Sequence, residues 1–256
     1  RRILQSFPLV FTHLLRDVLE IPVDERLALV VPERMSLREL ASIVPTGIFT
    51  TFFSGASVGI LIGLGAVYAV AVDVPDSRLA AFLAAPLFGS MLLQWPIGWI
   101  SDRASRRGVI LTVAGIAVVI CVALASVTEG SWIAVGLMSV LGAVSFSIYS
   151  LTIALTADWL PTAKLTSGSA VLVRVNGVGA LVGPLVATVV IGSTSPIAYF
   201  WTMAAINLII AAYLVWRIVD ADAPKHPRTF VAFPARASAG AIALMRGQRT
   251  RIDNEN

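Results

Sequence analysis

Between Ala41 and Trp216 lie 176 residues that carry only 11 of the chain's 34 Lys, Arg, Asp and Glu side chains. No water-soluble fold can be covered from so small a supply of charge, since soluble domains average about 25% charged residues. The whole chain of 256 residues is 57% hydrophobic and 13% charged. In a bilayer each backbone N–H and C=O must be satisfied within the protein, so long apolar segments of this kind become helices. The expected fold class is therefore an all-α integral membrane protein.

A spanning helix needs roughly 20 apolar residues. Six runs qualify: Val44–Val72, Leu79–Ser101, Gly108–Thr128, Gly130–Ala157, Leu165–Ile191 (interrupted by Arg174) and Pro196–Trp216. Short polar joints separate them, the last marked as a turn only by its Gly-Ser-Thr-Ser-Pro composition. Lys and Arg then orient the bundle. With six spans both flanks lie on one side, and that side collects 17 of them against Arg78 alone on the other. Both ends are expected in the cytoplasm, and Trp99, Trp132, Trp159 and Trp216 fall near span ends, where an amphipathic ring prefers to sit.

Three organisational units follow: a cytoplasmic linker over 1–43, a six-span bundle over 44–219 and a tail over 220–256 rich in Ala, Arg and Pro, expected to be disordered. Within the linker, Ser36 and Glu39 have the spacing of a capping box and predict a short helix over Ser36–Ile43. One cysteine, Cys121, and two histidines, His13 and His226, both outside the apolar region, leave no cysteine framework and no intramembrane zinc set or Ser–His pair. Neither a metal nor another cofactor is expected. The net charge of +4 is explained by cations flanking the spans, so no nucleic-acid partner is inferred.

Polar side chains distinguish the spans. Thr46, Thr50, Ser54, Ser57 and Tyr68 form a stripe in the first, and Ser145, Tyr149, Thr152 and Thr156 form one in the fourth at i, i+4, i+7, i+11. The third and sixth have few polar groups. Spans one and four read as walls of a polar cavity and three and six as outer helices. The alternative is that the hydroxyls bond neighbouring helices or their own backbone. Gln94, one turn after Ser90, is a further lining candidate. Gly55, Gly59 and Gly63 in the first span, and Gly179, Gly183 and Pro184 in the fifth, have the small-residue spacing that lets helices approach closely.

Arg174 is the costly residue, because a charge within a span needs a partner or water. It lies nine residues beyond Leu165, about 13 Å along a helix. Two readings stand: it reaches back to the cytoplasmic interface and meets Asp158, or it contacts an anion or substrate in a cavity. Asn176, about 200° away, points with Gly179 and Gly183 instead.

The joint after the second span reads Gly98-Trp99-Ile100-Ser101-Asp102-Arg103-Ala104-Ser105-Arg106-Arg107. It resembles the G-x-x-x-D-[RK]-x-G-[RK]-[RK] signature of the major facilitator superfamily. Gly98, Asp102, Arg103, Arg106 and Arg107 match, and Ser105 stands where the family usually has Gly. The preceding run Met91–Gly98 looks like a bacterial branch of that superfamily, the YcaD-like permeases.

The resemblance implies two six-helix halves joined by a cytoplasmic linker, with the loop motif after helices two and eight. This chain then corresponds to helices 7–12, a C-terminal half and a fragment. By the same resemblance, helices seven and ten line the central path while nine and twelve face lipid.

The implied function is secondary active transport of a small solute by alternating access in a bacterial inner membrane. The loop motif would act as a cytoplasmic gate, with Asp102 capping a helix of the missing half. Candidate path residues are Ser54, Ser57, Gln94, Ser145, Tyr149, Thr152 and Arg174. Expected partners are the lipid bilayer, the solute, and either an N-terminal half or a second copy of the chain. The competing expectation is a stand-alone six-span protein that pairs with itself or serves as a scaffold or sensor. No catalytic pair is visible.

Overall fold

The computed structural model describes residues 34–127, 130–161 and 164–220; the expected linker up to residue 33 and the expected tail from 221 lie outside the described residues. The described residues form helices α1 (Leu37–Ile43), α2 (Pro45–Gly63), α3 (Gly65–Ala71), α4 (Asp76–Ser101), α5 (Arg106–Leu124), α6 (Trp132–Ala157), α7 (Leu165–Ser193) and α8 (Ala198–Asp220). Six of them, all but α1 and α3, are long and apolar enough to cross a membrane. Each falls on one of the six expected apolar runs.

Local chemistry sets several boundaries. The Ser36 hydroxyl accepts the Glu39 N–H at 3.1 Å and starts α1, and Ser131 accepts the Ala134 N–H at 3.1 Å and starts α6. Pro45 opens α2, where its missing N–H costs nothing.

One expected span differs. Val44–Val72 is two helices, broken at Leu64 (φ −109°, ψ −2°). Beside the break the Leu61 carbonyl takes a hydrogen bond from the Tyr199 hydroxyl at 2.9 Å. Tyr199 is fully buried in an aromatic cluster, 5.0 Å from Tyr68 and 4.9 Å from Phe200.

Packing makes a ring of α2, α6, α5 and α8, each helix against the next, with α7 flanking α2 and α4 flanking α6. Both flanks attach by backbone contact through glycine. A Cβ on Gly55 or Gly59 would strike the backbone of Asn176 or Ala180, and one on Gly179 or Gly183 would strike Phe52 or Ala56. On the other side Gly89 and Gly142 admit Ser139 and Pro86 in the same way.

Enclosure inside the six-helix unit follows a different order from polar content, and does not bear on which spans face lipid. The buried share is 39% for α5 and 44% for α8, but 28% for α4 and 22% for α7. A low count of polar residues says that a helix tolerates lipid, not how many neighbours it has. The least enclosed helices are α4 and α7, with Met91, Leu92 and Trp95 exposed on one and Leu181, Leu185 and Val189 on the other.

Candidate functional site

The loop motif occupies the α4–α5 junction. Asp102 caps α4, its N–H donating to the Gly98 carbonyl at 3.0 Å. Ser105 caps the start of α5 with extended backbone (φ −66°, ψ 120°), a conformation open to any residue, so Ser in place of Gly introduces no strain.

Arg106 bridges two carboxylates, Asp102 at 3.3 Å and Asp158 at 2.7 Å, and so ties this junction to the end of α6. Arg103 donates to the Trp99 carbonyl at 3.2 Å and lies 3.8 Å from that ring's centre. Arg107 lies 5.5 Å from the Trp159 ring centre, within cation–π range. Asp102 keeps 66% of its side chain exposed.

A second tie lies nearby. Lys164, at the start of α7, donates to Glu39 of α1 at 2.7 Å. That hydrogen bond, followed by the ammonium's charge, holds the Glu39 carboxyl below the usual carboxylate range.

Gln94 is exposed on α4 and donates to the Ser150 hydroxyl of α6 at 3.4 Å, with Tyr149 half-buried beside it in sequence. Ser90 turns back to the Leu87 carbonyl at 2.7 Å.

The two hydroxyl stripes point inward. Ser54, Ser57, Ser145 and Thr152 are each 0% exposed, so none of the four reaches the surface of the six-helix unit. Ser57 accepts from Asn207 of α8 at 3.1 Å, and Thr152 donates to its own helix at the Ile148 carbonyl, 2.7 Å away. The hydroxyls of Thr46, Thr50, Ser54 and Ser145 are buried with no hydrogen-bond partner among the described residues. Spacing identified the stripe. Which neighbour the stripe meets depends on packing, which spacing does not encode.

The glycines gather on the α2–α7 seam, where Asn176 donates to the Thr51 carbonyl at 3.3 Å. Gly63 and Pro184 are in ordinary contact, 3.6 Å from a Cβ position to the ring. Arg174 points elsewhere, into a cavity between α1, α2 and α7. Its expected partner Asp158 is engaged by Arg106 instead. Asn207 and Tyr199 are polar side chains of α8 with defined partners that were not among the expected site residues; an Asn and a Tyr in a largely apolar span were the available signal.

Among the described residues no group of three or more His, Cys, Asp or Glu side chains could hold a metal ion.

Comparison with known proteins now bears on this arrangement. The family model described as Major Facilitator Superfamily matches residues 47–250. The chain is 25% identical over 181 residues to the uncharacterized MFS-type transporter YE1530 of Yersinia enterocolitica, covering 71% of this chain and 46% of that protein. It is 24% identical over 220 residues to the uncharacterized MFS-type transporter YcaD of Escherichia fergusonii, 86% of this chain and 54% of that one. A third relative, YfkF of Bacillus subtilis, also an uncharacterized MFS-type transporter, is 28% identical over 119 residues, 46% of this chain and 30% of its own. The chain spans about half the length of the curated relatives it matches. No solved structure matches it significantly. With a match over most of its length, the six-span chain is a multi-pass integral membrane protein that belongs to the major facilitator superfamily, on its YcaD-like branch.

Proposed function

We propose that this six-helix unit is one half of a secondary transporter, not an enzyme, and that it carries a small solute by rocking against a second six-helix half. The observation that carries the reading is the family match over residues 47–250 in a chain that spans about half the length of the relatives it matches. The packing is consistent with it. The exposed apolar flanks of α4 and α7 are the surfaces a second half would cover, and Gln94 with Tyr149 supplies polar groups for the solute on that side.

The excess of Lys and Arg on one side of the six spans supports a cytoplasmic position for both ends of the chain. At that side the Asp102–Arg106–Asp158 chain acts as the gate. The exposed part of the Asp102 carboxylate is free to cap a helix N-terminus of the other half, where the helix dipole favours an anion. Breaking that contact in the opposite access state would cost little, because the charges remain near water.

The test is uptake by the product of the gene encoding this chain. Vesicles containing it, energised by a proton or sodium gradient and offered a mixed pool of labelled small solutes, should accumulate at least one. Asp102→Asn should lower that uptake about tenfold, a loss of ~1.4 kcal/mol, with insertion unchanged. Accumulation no greater than in empty vesicles across the pool would overturn the transporter reading. Wild-type uptake in Asp102→Asn would remove the gate assignment alone.

A further inference from the structure

The cavity at Arg174 has a volume of about 510 Å³ and lies where α1, α2 and α7 meet. That is within the range of small-molecule sites. Its α2 wall is aromatic and held in place: Phe49 stacks on Tyr213 of α8 with ring centres 4.0 Å apart, and Phe52 and Phe53 meet edge-on at 5.2 Å. The polar side chains in its lining are Ser36 and Arg174. Ser36 is occupied in capping α1.

Arg174 makes no hydrogen bond or ion pair with any described residue. Arg174 is exposed and unpaired among the described residues, and a charge within a span is stabilised by a counter-charge or water, so the cavity presents a cation to which an anion can bind. The other walls are apolar, so the rest of the ligand is apolar as well.

The position of the cavity selects the source of such a ligand. Gly179, Gly183 and Asn176 turn one face of α7 onto α2, and Arg174 lies about 200° from Asn176, on the side away from that seam. Val178, one turn further on and also in the lining, is 54% exposed. The site is therefore open sideways from the helix pair. Arg174 is about 13 Å from the start of α7, and its long side chain can reach back toward the headgroup level. Above it α1 is fixed by the Glu39–Lys164 pair and by Leu40, which is fully buried against a small cluster with Leu160 and Leu172.

We propose that this cavity binds an anionic phospholipid of the surrounding leaflet, with an acyl chain along the Phe49–Phe53 wall and the headgroup phosphate on Arg174. This inference does not depend on the transport reading.

The test reconstitutes the 256-residue chain in phosphatidylcholine vesicles doped with a photoreactive phospholipid, either phosphatidylglycerol or phosphatidylcholine carrying the same acyl chain. Cross-linked peptides are then mapped. Labelling of residues 49–53 and 171–178 should favour phosphatidylglycerol about fivefold, the factor one basic side chain contributes near a bilayer surface. Arg174→Gln should bring the two lipids to equal labelling, and Arg174→Lys should keep most of the preference. Val178→Trp, which fills the cavity and keeps the charge, should lower labelling by both lipids without changing their ratio. Equal labelling in the wild type, or a preference unchanged by Arg174→Gln, would overturn the proposal. So would displacement of phosphatidylglycerol by a soluble anion such as benzoate, which would assign the cavity to a water-borne carboxylate instead.

Discussion

The two ends of this bundle are closed by different physics. At the loop-motif end, Arg106 joins Asp102 to Asp158, Lys164 joins α1 to α7, and Arg103 and Arg107 lie against Trp99 and Trp159. At the opposite end one arginine, Arg78, donates to the Gly130 carbonyl at 2.9 Å and approaches Trp132. The rest of that end is the buried cluster of Tyr68, Phe82, Tyr199 and Phe200, with a single hydroxyl on the Leu61 carbonyl. Ion pairs near water contribute little to stability and are weakened by salt. A dry aromatic cluster responds to neither. The first end can thus be released and re-formed cheaply, while the second is the more permanent fastening.

The largest effect should come from the aromatic end. Tyr199→Ala removes a fully buried ring and should destabilise the bundle by about 3–5 kcal/mol. Tyr199→Phe keeps the ring and leaves the Leu61 carbonyl without its donor, at a cost of about 1–3 kcal/mol. Denaturation in detergent would measure both, and neither difference should change between low and high salt. A Tyr199→Ala loss under about 1 kcal/mol would show that the cluster is not what holds this end.

Much of this architecture was legible in the chain before any coordinates. Charges interrupt the apolar runs at almost every turn, so span number and limits could be read from Asp73, Arg78, Asp102, Arg107, Asp158 and Lys164. The α1 cap was visible as Ser36 and Glu39, because capping is a local interaction. What stayed hidden was non-local. Nothing near Arg106 announces Asp158, 52 positions away, and nothing near Ser57 announces Asn207, 150 away.

The break at Leu64 was hidden for another reason. It lies inside an unbroken apolar run, and the signals that mark it, an acceptor at Leu61 and a hydroxyl at Tyr199, come from different helices. The hydroxyl stripes were found and their direction was not, since helical period sorts residues into faces without saying which face meets α8.

At the motif end a smaller effect is expected, and one of a different kind. Arg106→Gln leaves Asp102 and Asp158 without their shared cation. Because Asp102 is 66% and Asp158 44% exposed, water recovers most of the loss, and the cost should be about 0.5–1 kcal/mol. The difference from wild type should shrink in salt, as the screening length falls from about 10 Å at 0.1 M to about 3 Å at 1 M. A salt-independent loss as large as that of Tyr199→Ala would erase the contrast between the two ends.

The smallest effect concerns α1, which Leu40 already fixes by burial. Lys164 holds the Glu39 carboxyl below the usual carboxylate range. A carboxylate whose folded value is depressed contributes stability that is fully present above its unfolded value and disappears as the pH falls through the folded one. The Glu39–Lys164 tie should therefore persist at neutral pH and into mild acid, and be lost only in stronger acid. Hydrogen exchange of the α1 amides, corrected for intrinsic rates, would follow it. Protection should be flat around neutrality and decline at low pH in the wild type. In Glu39→Gln it should be lower at neutral pH and insensitive to acid, with the Ser36 cap still in place because that bond uses the backbone N–H of residue 39. Equal protection in the two proteins at neutral pH would mean that Leu40 alone seats the helix. The motif end would then rely on burial as the aromatic end does.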